Sequence, residues 1–231
     1  MISCYHLTVS HPGRQRPLLD DASFEIDKGA FVEIIGPSGA GKSVLFSVLS
    51  LRRPPAGARC IIAGRNLDRL GEAGLAELRR GVGSCAQRPE LLEERSVLEN
   101  LILPLVARGE HDGALDRVDE LIEGSRLEAL CDVPAAGLSD SEAKLAGIYR
   151  ALVGSPALVL IDGGVEGLGD LAEDALAALR RAYDGGSTVV LTSRELSPLD
   201  DVRTAALGLS DGKLVSIQGG AQEASIIDGA A

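Results

Sequence analysis

The stretch "FVEIIGPSGAGKSVLFSVLSL", Phe31 to Leu51, runs from an apolar strand-like segment through a glycine-rich turn into a helix. Its centre, "GPSGAGKS", fits the spacing G-x-x-x-x-G-K-[ST] in the strand-to-helix context that gives this motif its meaning. The glycines let successive backbone N–H groups turn inward around phosphate oxygens at a helix N-terminus. Lys42 adds a point charge on the outer phosphates, and Ser43 can ligate Mg²⁺. Gly36, Pro37, Ser38, Gly39, Ala40, Gly41, Lys42 and Ser43 are therefore candidate nucleotide-binding residues. An incidental glycine-rich turn is the plain competing reading, and the flanking strand and helix argue against it.

A second stretch, "LVLIDGGVEGLGD" from Leu158 to Asp170, is an apolar run that ends in Asp162, as a buried strand ends at a metal site. Asp162 is a candidate Mg²⁺ carboxylate, acting directly or from one layer further out. Its plain reading is a turn or helix cap.

The 231 residues, 45% hydrophobic and 25% charged, suit one globular domain of ordinary size. An excess of 34 acidic over 23 basic residues, net charge −11, excludes a broad surface for a nucleic-acid backbone, so no nucleic-acid partner is expected. Cys4, Cys60, Cys85 and Cys131 are far apart, form no metal-ligand pair, and read as buried thiols in a reducing compartment. The N-terminus "MISCYHLTVS" lacks a basic flank followed by an apolar core, and no apolar run approaches the roughly 20 residues that span a bilayer. The expected location is cytoplasmic, with any membrane link made through a partner.

Apolar strand-like segments alternate with helical ones, the pattern of an α/β protein. Strands are predicted near 2–9, 22–26, 31–35, 59–63, 82–86, 157–161, 188–192, 205–209 and 214–217, and helices at 42–51, 97–107, 114–124, 140–152 and 171–183. Three of these helices fall consecutively between Gln87 and Gly154. That predicts one domain over residues 1–217 with a helical subdomain at about 88–154, followed by a loosely ordered tail, 218–231.

The order of the remaining segments narrows the class. "SCAQRPELLEERSVLENLILPL" puts Gln87 at a strand end before the helical insert, and "GLSDSEAKLAGIYRALVGSPALVLID" puts a Leu-Ser helix start just ahead of the Asp162 strand. In this the chain resembles the nucleotide-binding subunits of ABC transporters. Through "LAELRRGVG", "VLENLILPL" and "SDGKLV" it is most similar to the lipoprotein-release, macrolide-export and cell-division (FtsE-type) group. The resemblance covers about residues 1–217, and the guanine-reading N-K-x-D of a GTPase is missing. It implies a P-loop NTPase core of ABC ATPase type, a mixed sheet flanked by helices with an inserted helical subdomain. It also implies ATP and Mg²⁺ held between the phosphate loop of one subunit and the signature helix of another in a head-to-tail homodimer or heterodimer. Gln87 then joins Ser43 and Asp162 on the metal side. An integral-membrane permease would dock after the glutamine loop and hold the chain peripherally on the inner face of the cell membrane.

Carried over position by position, the departures are as informative as the matches. The family's Leu-Ser-Gly-Gly-Gln/Glu signature is here Leu138, Ser139, Asp140, Ser141 and Glu142, without either glycine; Ser139 with Glu142 reads as a capping box or as a weakened signature. Gly163 replaces the catalytic glutamate, Ser193 the switch histidine, Gly169 the aspartate that braces the dimer, and His11 the aromatic that stacks on adenine. Neither Gly163 nor Ser193 can act as a base. Glu166 is a candidate substitute or a solvated loop charge. The expectation is an ATP-binding subunit with weak or absent hydrolysis; the alternatives are an active but atypical ATPase and a soluble regulatory protein. Leu91 and Leu92, ahead of a helix start at Ser96, are candidates for the permease-docking surface.

Overall fold

The computed structural model describes residues 1–10, 16–55, 57–219 and 224–227. Among them the chain runs β1 (Ile2–Val9), β2 (Leu19–Ile26), β3 (Phe31–Ile35), α1 (Lys42–Leu49), β4 (Arg59–Ile62), β5 (Arg65–Asn66), α2 (Glu72–Arg80) and β6 (Val82–Cys85). It continues through α3 (Val97–Ala107), α4 (Ala114–Ile122), α5 (Asp140–Leu152), β7 (Leu158–Asp162), α6 (Ala172–Asp184), β8 (Thr188–Ser193), β9 (Ala205–Ser210), β10 (Lys213–Gly219) and β11 (Ala224–Ile226). The strands form two sheets, an antiparallel one ordered β11-β2-β1-β4-β5 and a mixed one ordered β10-β9-β3-β8-β7-β6.

Strands β3, β8, β7 and β6 are mutually parallel, with Ile35 opposite Ser193, Thr192 opposite Asp162 and Ile161 opposite Cys85. Their alternate residues face two different cores, which is why they read as continuous apolar runs rather than alternating ones. Leu158, Leu160 and Val190 pack toward α1 and the antiparallel sheet, with Leu45, Val48 and Phe24. Val159, Ile161 and Leu191 pack toward α3, α5 and α6, with Leu101, Leu145, Ile148 and Leu179. Because the four parallel strands stop at one edge, the segments that follow them, beginning at Gly36, Arg194, Gly163 and Ala86, meet there. The carboxyl edge of a parallel sheet is where such folds place ligands.

The residues between β6 and β7 hold α3, α4, two short 3-10 turns and α5. Ser96 caps α3 in a capping box with Glu99. Asn100, fully buried, accepts from the Leu92 N–H and donates to the carbonyls of Leu92 and Ser96, which fixes the loop leading from Gln87 into α3.

Three expectations are corrected. Helix α2 and strand β5 were not read from sequence, and Ala224–Ile226, inside the stretch expected to be a loose tail, pair with β2. The cysteines are not four separate thiols: Cys4 and Cys60 face each other across the β1–β4 ladder, Cα atoms 4.2 Å apart, joined as a disulfide, while Cys85 and Cys131 are free. Antiparallel register brings together residues 56 apart in sequence, and the cysteines therefore do not point to a reducing compartment. Among the described residues no helix is long and apolar enough to cross a membrane.

Candidate nucleotide-binding site

The phosphate loop links β3 to α1 and is held tightly from behind. Gly41 caps α1 with φ +106°, and a Cβ there would lie 2.4 Å from the Leu18 carbonyl oxygen, so only glycine fits. A Cβ on Gly36 would meet the Leu209 carbonyl at 2.2 Å. The loop's first N–H, that of Gly36, donates to the Ser193 carbonyl at 3.3 Å. Lys42 folds over the loop, its Nζ 2.6 Å from the Gly36 oxygen and 3.0 Å from that of Pro37. Burial pushes the Lys42 ammonium below the usual lysine range, and the nearby carboxylates of Glu166 and Asp162 partly restore its proton affinity.

The loop opens on a cleft of about 430 Å³ that also reaches Gln87, Asp162, Gly163, Glu166, Ser193 and Arg194. One cleft thus brings together Ser38, Gly39, Gly41, Lys42 and Ser43 with Gln87 and Asp162. Asp162, at the end of β7 and buried, accepts the Thr192 hydroxyl through Oδ1, a bond made possible by the in-register pairing of β7 with β8. Of the side-chain oxygens lining the cleft, the Glu166 carboxylate is paired with Arg194 and the Ser193 hydroxyl is bonded to the Glu195 carbonyl, which leaves the Asp162 carboxylate, the Ser38 and Ser43 hydroxyls and the Gln87 amide; the described residues contain no group of three His, Cys, Asp or Glu able to hold a metal alone. That sparse oxygen set fits Mg²⁺ carried in with a phosphate chain, because Mg²⁺ retains waters and shares phosphate oxygens.

The departures from the family pattern have clear geometry. Gly163 and Gly164 adopt φ +81° and +50°, a left-handed pair at the very end of β7. Ser193 is 2% exposed and its hydroxyl is committed to the Glu195 carbonyl at 2.6 Å. Glu166 is not the solvated loop charge that one sequence reading allows. It is three-quarters buried, accepts the Arg194 backbone N–H, and holds the Arg194 Nε at 2.7 Å. Ser139 and Glu142 form the capping box of α5: the Ser139 N–H donates to the carboxylate at 2.8 Å and the Ser139 hydroxyl at 2.7 Å. Leu138 to Glu142 lie outside the cleft, at the exposed start of α5. His11 lies outside the described residues.

Two residues of the site were missed in the sequence. Arg194 was passed over beside the more conspicuous Ser193. Lys144, 5% exposed in α5, donates to the carbonyls of Asp162 at 2.6 Å and Ala86 at 3.0 Å, tying the end of β7 to the start of the glutamine loop; burial lowers its proton affinity.

Fold and cleft together define a phosphate-loop nucleotide-binding domain with a helical insertion. Comparison with known proteins goes further: the ABC transporter family model matches residues 19–165, and the chain belongs to that family. It is 30% identical over 217 residues to the cell division ATP-binding protein FtsE of Mycobacterium tuberculosis, covering 93% of this chain and 94% of that protein. The methionine import ATP-binding protein MetN of Cereibacter sphaeroides is 34% identical over 202 residues, but this chain spans only 57% of its length. Among solved structures, the dimeric MJ0796, a bacterial ABC transporter cassette, superposes with a TM-score of 0.84 at 23% identity, over 99% of this chain and 100% of that one. The post-hydrolysis dimer of the same cassette bound to ADP and Pi gives 0.82 at 22% identity, over 95% and 100%. At such identities the likeness establishes the fold.

Proposed function

We propose that this chain is an ATP-binding subunit of an ABC-type transporter or membrane complex, that it holds MgATP at a dimer interface and couples to a membrane permease, and that its hydrolysis is weak or absent. The observation that carries this reading is the asymmetry of the cleft. Groups suited to ground-state binding line it, while position 163 has no side chain and the Ser193 hydroxyl is committed to a backbone carbonyl. The backbone of Gly39 to Ser43 receives the phosphates, and Lys42 exchanges loop carbonyls for the outer phosphate oxygens. Ser43, Gln87 and Asp162 supply the protein oxygens for Mg²⁺, which when bound neutralises charge on those oxygens. A missing general base costs about 10² to 10⁴ in rate, enough to bring a common turnover of roughly 1 to 10³ per second close to background.

A head-to-tail pair, homodimeric or heterodimeric, would place the Ser139 helix start of one subunit over the phosphate loop of the other. Both halves of each composite site are altered in this chain, so an intact partner repairs only one half. FtsE and MetN are ATP-binding proteins of cell division and methionine import respectively; by analogy this chain works at the inner face of the cell membrane through a permease.

One observation favours the alternative of an active but atypical ATPase: Glu166 lines the cleft. Its carboxylate accepts the Arg194 backbone N–H and pairs with the guanidinium, so it serves as base only where those contacts are given up. Calorimetric titration with MgATP and steady-state phosphate release, with Lys42→Ala as control, test the proposal. Binding tighter than millimolar without turnover supports it. A turnover of roughly 1 per second that vanishes in Lys42→Ala establishes the atypical ATPase, and no binding leaves a vestigial loop.

A further inference from the structure

Among the described residues Arg194 is, with Lys42, one of two cations lining the cleft, and it follows Ser193, whose carbonyl accepts the first N–H of the phosphate loop. Its side chain is 64% exposed and its guanidinium is paired with Glu166, and the Glu166 carboxylate also attracts the Lys42 ammonium. One carboxylate of the cleft is therefore bonded to one of its cations and attracted by another. Guanidinium pairs with both carboxylate and phosphate oxygens, and the Arg194 side of this pair is open to a competing anion.

We propose that Arg194 is a ligand for the terminal phosphate of a nucleoside triphosphate, and that Glu166 is a built-in stand-in for that phosphate, holding Arg194 until the phosphate displaces it. The inference rests on the ATP-binding reading above and adds a means of discrimination. A terminal phosphate brings negative charge beside Glu166, repels it, and takes over its guanidinium. A diphosphate leaves the Glu166–Arg194 pair in place.

The test is calorimetry of the full chain with MgATP and MgADP for the wild type, Arg194→Ala, Arg194→Lys and Glu166→Gln. Arg194 is exposed, so its substitution leaves the core untouched. Loss of a charge-assisted contact predicts that Arg194→Ala weakens MgATP binding about tenfold or more with MgADP affinity unchanged, and that Arg194→Lys falls between. Glu166→Gln, freed of the competing charge, binds MgATP more tightly and MgADP as before. Equal losses for both nucleotides in Arg194→Ala, no loss for either, or weaker MgATP binding in Glu166→Gln each overturns the inference while the ATP-binding reading stands. A wild type that binds neither nucleotide overturns both.

Discussion

Gly163 is packed against Gln87: a Cβ built on the glycine would sit 3.1 Å from the Gln87 Cγ. The glycine also has φ +81°, and the next residue, Gly164, has φ +50°. A left-handed conformation costs an L-residue about 1–2 kcal/mol, and the glutamine must give way as well. Restoring the family's carboxylate by Gly163→Glu is therefore expected to lower stability by about 1–2 kcal/mol and to leave phosphate release at background. Denaturant melts and a release assay check both. A single substitution that restored turnover would show that the backbone here is not the obstacle.

Lys144 predicts a pH signature. Burial holds its folded-state proton affinity below the ordinary lysine value of about 10.4. Above the lowered value the unfolded chain binds the extra proton, so stability rises with pH until the ordinary value is passed. The wild type should gain stability relative to Lys144→Met as the pH rises from the lowered value toward about 10. Parallel melting curves over that range would rule out a desolvated ammonium at this position.

Glu33 of β3 is fully buried and accepts from the Arg203 Nε and the Ser197 N–H, fastening the segment after β8 to the strand that feeds the phosphate loop. Arg203→Met strands a buried carboxylate and should destabilise by about 3–5 kcal/mol. Arg203→Met with Glu33→Gln should cost clearly less. Additive losses in chemical denaturation would refute the pairing.

The capping box of α5 makes two claims. Ser139→Ala should destabilise by about 1 kcal/mol while MgATP affinity of the isolated chain stays constant, since Ser139 lies outside the cleft. Hydrogen bonds from the Ser139 hydroxyl and N–H hold the Glu142 carboxyl below the usual range. The stability this lends is complete above the ordinary glutamate value of about 4.3 and is lost as pH falls through the lowered one. Glu142→Gln should flatten that acid limb. A fall in MgATP affinity on Ser139→Ala would assign the serine to the monomer's own site.

Leu92 is 49% exposed beside Glu93 and Glu94, on a loop pinned by Asn100, whereas Leu91 packs partly against the helical core. As part of the proposed permease surface, Leu92→Ser should release the protein from native membranes with its MgATP affinity unchanged. Leu91→Ser should add a stability cost. A wild type that never sediments with membranes would remove the docking role.

The sheet and its long helices were legible because strands buried on both faces keep unbroken apolar runs and α3 and α5 begin at serine caps three residues before a glutamate. Helix α2 escaped because its nine residues carry a short apolar stripe, Leu78 buried and Leu75 partly so, among charged and small neighbours. Strand β5 is two residues long, and β11 is specified by the free edge of β2 rather than by its own composition. The phosphate loop, Gln87 and Asp162 were readable as motifs. Lys144 and Arg194 were not, because their partners are carbonyls and a carboxylate that only folding brings near, as with Cys4 and Cys60.

The in-register pairing of Ile35 with Ser193, and of Thr192 with Asp162, means that the anion cradle, Arg194 and the carboxylate at 162 spring from three consecutive strands. Their lateral separations are multiples of the inter-strand spacing, about 4.8 Å. The cleft is in that sense a ruler graduated by backbone hydrogen bonds. Side-chain substitutions can change what is gripped at each mark, but moving the marks would require the sheet itself to slip.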